Sequence, residues 1–410
     1  MQGLCRDHCR LTNISDCDDT RVMLAAFEND GARIVDIGAA GTSMRFLTAF
    51  FASREGEEVV MTGSERMKQR PIALLVDALR TLGARIDYVE AEGFPPLRIH
   101  GRKLKGGALS IDGSISSQYI SALLMIAPTL SEGLRLKLEG NITSTPYIEM
   151  TLGMLKQFGI TSTWDHSAQV ISIAPQPYKA LHYHVESDWS AASYWYEIAA
   201  LAARVGNHEA IALDGLHASS LQGDAAIASH FETIGVKTDF KSETVTLNAQ
   251  ESTEGTSLLE LDLSAQPDLA QTLIVTCCAL NVPFRFTGLH TLRIKETDRV
   301  AALETELKKL GYVVTDRLVK KHLAESTSNS TNPNDTTIEM CWDGTRCEAE
   351  TNPVIATYKD HRMAMAFAPM SLVLPSRSIL IDDPGVVSKS YPNYWDDLQK
   401  AGFSIKEFLF

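Results

Sequence analysis

MKQRPIALLVDALRTLGARI, residues 67–86, carries the pattern that organises the whole chain. Ile72, Leu75, Val76 and Leu79 fall at i, i+3, i+4 and i+7, the spacing of one helical face. Gly83 then ends the helix, since glycine enters the left-handed conformation at low cost. The β-like run ARI comes next. The same arrangement recurs in DCDDTRVMLAAFENDGARI (16–34), TPYIEMTLGMLKQFGI (145–160), LQGDAAIASHFETIGVKT (221–238), KETDRVAALETELKKLGYVV (295–314) and YPNYWDDLQKAGFSI (391–405). The stop glycines are Gly31, Gly83, Gly159, Gly235, Gly311 and Gly402, and the middle four are spaced 76 residues apart. A fixed period of this kind is the mark of a repeated structural unit.

A second pattern precedes the first. A loop of small and polar residues leads into a nearly all-apolar helix: GAAGTSMRFLTAFF, SSQYISALLMIAP, DWSAASYWYEIAALAA, PDLAQTLIVTCCAL and DHRMAMAFAPMSL. From Gly41, Ser116, Asp188, Asp268 and Asp360 to the following stop glycine the offsets are 42, 43, 47, 43 and 42. A helix apolar all round must be buried. Each unit therefore pairs an inner helix with an amphipathic outer one, followed by short strands such as LRIHG, VISIA and VTLNA. Six outer helices are matched by only five inner ones, so the first unit is incomplete. Six units split into two domains of three, residues 1–184 and 185–410, with the boundary near His184. HLAESTSNSTNPNDTTIE is polar and low in complexity and reads as an exposed hairpin loop.

Bulk composition limits the function. At 410 residues, 44% hydrophobic and 22% charged, the chain can bury large cores in two domains. The net charge of −13 argues against a general nucleic-acid or anionic-membrane partner. No apolar run reaches the roughly 18 residues of a membrane span. The start MQGLCRDHCR lacks the apolar centre of a signal peptide, so a cytoplasmic location is expected. The seven cysteines form no disulfide framework, and Cys277 and Cys278 read as core. Cys5, His8, Cys9 and Cys17 match no zinc spacing.

Chemistry concentrates at the inner-helix starts. Free N–H groups at Gly41-Thr42 and Ser116-Ser117-Gln118 suit an anion, although Ser and Asp at such places are also ordinary caps. Arg66, Lys68, Arg70, Arg293, Lys295, Arg299, Arg362 and Lys389 gather beside these loops. Helix starts disfavour cations, so an anionic ligand would explain them. Lys68 and Lys308 read as solvated surface charges. Asp268 heads a buried helix and reads either as its cap or as a general base beside the cations. Glu296 is a second acid. His361 reads first as a structural histidine.

At these residues the chain resembles the enolpyruvyl transferases that act on shikimate 3-phosphate, the 5-enolpyruvylshikimate-3-phosphate synthase family. The matching stretches are AGTSMRFL, GSERMKQRPIALLVDALR, SISSQYISALLM, STPYIEMTL, VESDWSAASY, QPDLAQT, RIKETDR, TYKDHRMAMAF and SKSYPNYW, in the family's order from about Asn13 to Tyr394. The resemblance implies an α/β fold of two inverse α/β domains, each of three βαβαββ units, with the active site in the cleft between them. It implies transfer of the enolpyruvyl group of phosphoenolpyruvate to the 5-hydroxyl of shikimate 3-phosphate, with no metal or organic cofactor, in a monomer.

Carried over by motif, Ser116, Ser117, Gln118, Ser144 and Lys295 would hold shikimate 3-phosphate, and Tyr147 would flank its ring. Arg66, Arg299, Arg362 and Lys389 would hold phosphoenolpyruvate in a pocket lined by Gly41 and Thr42. Asp268 would take the hydroxyl proton. Glu296 and Lys389 would exchange a proton with the methylene.

Two departures stand out. Thr291 occupies a place where many members have asparagine. More seriously, members begin with a Pro-Gly-Ser-Lys-Ser…Asn-Arg motif leading into an inner helix, and MQGLCRDHCR stands there instead. The loss is expected to impair activity and to open the first domain's core, leaving an impaired binding remnant as the alternative. A sibling transferase acting on UDP-N-acetylglucosamine usually carries a cysteine in the loop matching GSERMKQRP. No cysteine lies between Cys17 and Cys277. A helical-repeat scaffold would need an exposed concave face, which the apolar inner helices do not supply.

Overall fold

The computed structural model describes residues 1–5, 9–28, 33–113, 116–140, 142, 144–250, 258–320 and 336–407. Gly31, His8 and most of the polar 322–339 stretch lie outside these residues.

The helices are α1 (Asp18–Glu28), α2 (Gly41–Ala52), α3 (Glu65–Lys68), α4 (Ala73–Thr81), α5 (Ser117–Ile126), α6 (Thr145–Gln157), α7 (Trp189–Arg204), α8 (Ile227–Glu232), α9 (Ala270–Leu280), α10 (Arg299–Lys309), α11 (His361–Phe367) and α12 (Tyr394–Lys400). Helices α1, α4, α6, α8, α10 and α12 are the six outer helices read from the sequence. Helices α2, α5, α7, α9 and α11 are the five inner ones. Gly83, Gly159, Gly235, Gly311 and Gly402 all have positive φ, between 79° and 102°, which is the helix-stop geometry their position predicts.

Contacts divide the chain into two compact units, residues 1–185 and 186–410. In the first unit, one complete βαβαββ repeat runs Arg33–Asp36, α2, Glu58–Thr62, α4, Arg85–Tyr88 and Leu97–His100. The first two strands are parallel, as a helical crossover requires, and the last strand pairs antiparallel with both Glu58–Thr62 and Arg85–Tyr88. Gly107–Asp112, α5, Leu134–Glu139, α6, Ser162–Asp165 and Val170–Ile173 repeat this order. So do Leu259–Asp262, α9, Phe284–Thr287, α10, Thr315–Lys320 and Thr336–Trp342 in the second unit. The strands Thr315–Lys320 and Thr336–Trp342 pair antiparallel, so the end of the polar stretch, 336–339, is not exposed loop as read from the sequence but the start of a strand in which Thr337, Ile338 and Glu339 are buried. The α7–α8 repeat has a three-stranded sheet, and the last repeat has a short parallel pair, Val354–Ile355 with Leu380–Ile381.

Each unit has its own apolar core. The inner helices supply its centre: all eleven residues of α9 are buried, Cys277 and Cys278 among them. No disulfide joins any of the seven cysteines among the described residues. In the first unit, Gln2–Leu4 forms a 3₁₀ turn, and Met1, Leu4 and Cys5 pack against the core. The opening expected there is thus partly filled, while Leu24 and Phe27 on α1 remain 40% and 41% exposed. Among the described residues, no helix is long and apolar enough to cross a membrane.

Candidate active site

In the first unit two inner helices begin side by side. Gln118 Nε2 on α5 donates to Thr42 Oγ1 on α2 at 2.9 Å. Ser116 caps α5, its hydroxyl accepting from the Gln118 amide at 3.3 Å, so the capping reading holds for that residue. Helix α2 has no side-chain cap, so the amides at Gly41 and Thr42 have none of that competition. Gly41 is enclosed by arginines: a Cβ built there would lie 2.6 Å from Arg45 Nη1 and 2.6 Å from Arg70 Nη1.

Arg45 was not singled out by sequence reasoning. It is buried in α2, donates to the Gly41 carbonyl at 2.8 Å and lies over the Tyr119 ring. It forms no ion pair with a carboxylate among the described residues. Its position one helical turn after Gly41 was the available signal. Arg66, on the short α3, is exposed. Lys68 is held by Glu65 and Glu90, and Lys308 is exposed, in keeping with surface roles. Ser144 starts α6 at φ 55°, and Tyr147, whose amide donates to the Ser144 carbonyl at 3.1 Å, is half-buried.

In the second unit the predicted charges converge. Asp268 sits in a 3₁₀ turn ahead of α9 and makes no capping bond. The cap reading fails because three cations take its carboxylate instead. Arg299 Nη1 approaches at 3.0 Å, Arg362 Nη2 at 3.3 Å and Lys295 Nζ at 3.4 Å. Arg299 also donates to Glu296 at 2.9 Å and, through Nε, to Asp360 at 2.7 Å. Lys389 pairs with the other oxygen of Glu296. Four cations, Lys295, Arg299, Arg362 and Lys389, thus gather around Asp268, Glu296 and Asp360, and Asp188 and Asp224 also act on Arg362.

Burial alone would raise the Asp268 carboxyl, but Lys295, Arg362 and Arg299 together hold it well below the carboxylate range. Glu296 behaves likewise: burial opposes the ionised form, and Arg299 and Lys389 overcome it. Burial holds His361 down to about 3, and its Nδ1 stands 3.7 Å from Asp360, beyond a hydrogen bond. It is a buried neutral imidazole.

Arg362 reaches across to α7, donating to Ser190 Oγ at 3.2 Å and Tyr194 Oη at 3.4 Å. Arg293 does not join the cluster, because Asp298 and Asp316 engage it at 2.9 and 2.6 Å. The buried Thr291 hydroxyl makes no hydrogen bond among the described residues. Asp360, fully buried and central to the array, was marked in the sequence only as a helix start.

The sequence matches the profile of EPSP synthase (3-phosphoshikimate 1-carboxyvinyltransferase) over residues 23–398. The chain belongs to the EPSP synthase family. A Bacteroides fragilis 3-phosphoshikimate 1-carboxyvinyltransferase (strain ATCC 25285) is 53% identical over 397 residues, 96% of this chain and 89% of that protein. The protein of the same name from Vibrio atlanticus (strain LGP32) is 36% identical, covering 95% of this chain and 90% of its own length. In fold, the chain resembles the solved EPSP synthase of Acinetobacter baumannii, with a TM-score of 0.68 at 21% identity, over 98% of this chain and 92% of the other. Membership in the EPSP synthase family gives the charged array of the second unit a context: acids and cations gathered from four separate segments.

Proposed function

We propose that this chain transfers the enolpyruvyl group of phosphoenolpyruvate to the 5-hydroxyl of shikimate 3-phosphate, giving 5-enolpyruvylshikimate 3-phosphate and phosphate in the shikimate pathway. Family membership supports this, and the observation that carries it is the convergence of Lys295, Arg299, Arg362 and Lys389 on Asp268 and Glu296. Both substrates are polyanions, and arginine forks suit their carboxylate and phosphate groups.

Gly41, Thr42, Arg66, Ser116, Ser117, Gln118, Ser144 and Tyr147 from the first unit, and Lys295, Arg299, Arg362 and Lys389 from the second, bind the two substrates. In the addition step a C–O bond forms between the 5-oxygen and the central carbon of phosphoenolpyruvate. The hydroxyl proton goes to Asp268, and the methylene gains a proton. In the elimination step the C–O bond to phosphate breaks, the phosphate leaves with the proton that Asp268 had taken, and the new methyl gives up one proton. Glu296 is ionised beside Lys389, so the ammonium of Lys389 is the acid of that pair, and Glu296 is placed to receive the proton back.

Asp268, held low by three cations, is a weak base at rest. It becomes a useful one when the anionic substrates draw Lys295 and Arg362 toward themselves. The same cations then stabilise the departing phosphate.

Phosphate release from the two substrates by this chain tests the reading. Turnover supports it. Binding of shikimate 3-phosphate without turnover would overturn it in favour of a binding remnant.

A further inference from the structure

Helix α10 grips the segment that precedes His361 at two separate places. At its N-terminal end Arg299 holds Asp360. Seven residues further on, two helical turns along the same face, Glu306 is fully buried. Its Oε2 accepts from Lys309 Nζ at 2.7 Å and from the Ala356 amide at 3.0 Å. Its Oε1 accepts from the Tyr358 hydroxyl at 2.7 Å. Lys309 Nζ also donates to the Val354 carbonyl at 2.9 Å. Residues 354, 356 and 358 are therefore all tied to one carboxylate–ammonium pair.

Beyond Thr357 the backbone is strained. Tyr358 and Lys359 have φ of 54° and 59°, the left-handed region that residues with a side chain enter only under constraint. The Asp360 amide closes the turn on the Thr357 carbonyl at 2.8 Å. Asp360 then caps α11 through the Arg362 amide and meets Arg299. A buried carboxylate is costly unless several donors satisfy it, and all of the donors to Glu306 are outside the ion array around Asp268. The reaction as described makes no use of Glu306, so its burial needs another reason.

We propose that Glu306 is a positioning residue for the reaction. By fixing residues 354–358 it maintains the left-handed turn at Tyr358–Lys359 and so sets where Asp360, His361 and Arg362 stand. The kinetic part of this proposal rests on the enolpyruvyl-transfer reading, and the structural part does not.

Two variants of the full chain test it. Tyr358→Phe removes one donor from a side chain that is 40% exposed, so folding is spared. Glu306→Gln keeps the shape and removes the charge. Amide hydrogen exchange and the KM for each substrate are measured for both. Exchange is expected to rise about tenfold or more across residues 356–363 and little elsewhere. The KM for phosphoenolpyruvate is expected to rise about fivefold, while that for shikimate 3-phosphate stays within about twofold. Unchanged exchange in both variants overturns the proposal. So does an equal rise in the two KM values, which marks general destabilisation. If the unmodified chain shows no turnover, the transfer reading falls by that result alone, and the exchange measurement still sustains or sinks the clamp.

Discussion

Arg299 and Asp360 form a buried ion pair, Nε to Oδ2 at 2.7 Å, with 2% and 0% of their side chains exposed. The same guanidinium also meets Asp268 and Glu296. One arginine thus links three carboxylates drawn from widely separated segments, and burial makes the whole arrangement depend on its charge.

Arg299→Met should therefore destabilise the protein as well as inactivate it. Leaving Asp360 ionised in the interior without its partner costs about 3–5 kcal/mol. Denaturant melts of the variant check this. A loss under about 1 kcal/mol would mean that the pair contributes little to the fold.

Asp268→Ala separates binding from chemistry. Removing the proposed base should lower kcat by about two to four powers of ten, with a much smaller change in shikimate 3-phosphate affinity. Single-turnover kinetics with equilibrium binding provide the measurement. Equal losses in both would make Asp268 a binding residue.

Gly41→Ala probes the arginine-lined start of α2. The new Cβ would lie 2.6 Å from the Arg45 and Arg70 guanidinium groups, both ends of flexible side chains, so the fold should survive while those groups shift. Phosphoenolpyruvate KM should rise about tenfold with the melting temperature nearly unchanged. A full set of steady-state constants for both substrates checks it.

Acid should weaken the protein through His361 before the carboxylates titrate. The imidazole is held at about 3, by burial first and then by Lys389 and Arg362, against an ordinary 6.5. Between those values the unfolded chain binds a proton that the folded chain refuses. Stability therefore falls with decreasing pH by up to about 1.4 kcal/mol per unit. Asp268 and Glu296 are depressed, so their contribution is complete above the ordinary carboxylate range and is lost below it. The gap between urea midpoints at about pH 7.5 and about pH 5.5 should narrow in His361→Gln, the remainder coming from His230, which burial also depresses.

The architecture was legible because burial leaves a period. Leu273, Ile274 and Cys277 on α9 have no polar side to show, and the glycines recur at one offset. The site was legible only as a set of residue types. Arg293 and Arg299 belong to one heptapeptide, yet the first turns to Asp316 and the second to Asp360, and linear spacing does not encode that direction. Asp268 looked equally like a cap or a base until three cations from other segments were placed against it. Glu306 lies in TELKK, a string that reads as solvent-facing. Its burial depends on Ala356 and Tyr358, about fifty residues away. Arg45 was hidden by its apolar neighbours Met44, Phe46 and Leu47.

The stop glycines carry a consequence for chirality. At Gly83 and Gly402, with φ of 102° and 97°, a Cβ would meet nothing within 4 Å. Space is free, and only handedness excludes a side chain. A D-alanine placed there by chemical synthesis prefers this sign of φ and should stabilise the fold, because it narrows the unfolded ensemble toward the conformation already adopted. L-alanine at the same two positions should do the opposite. At these repeat ends the backbone calls for a mirror-image residue, and glycine is the only genetically encoded amino acid without a hand.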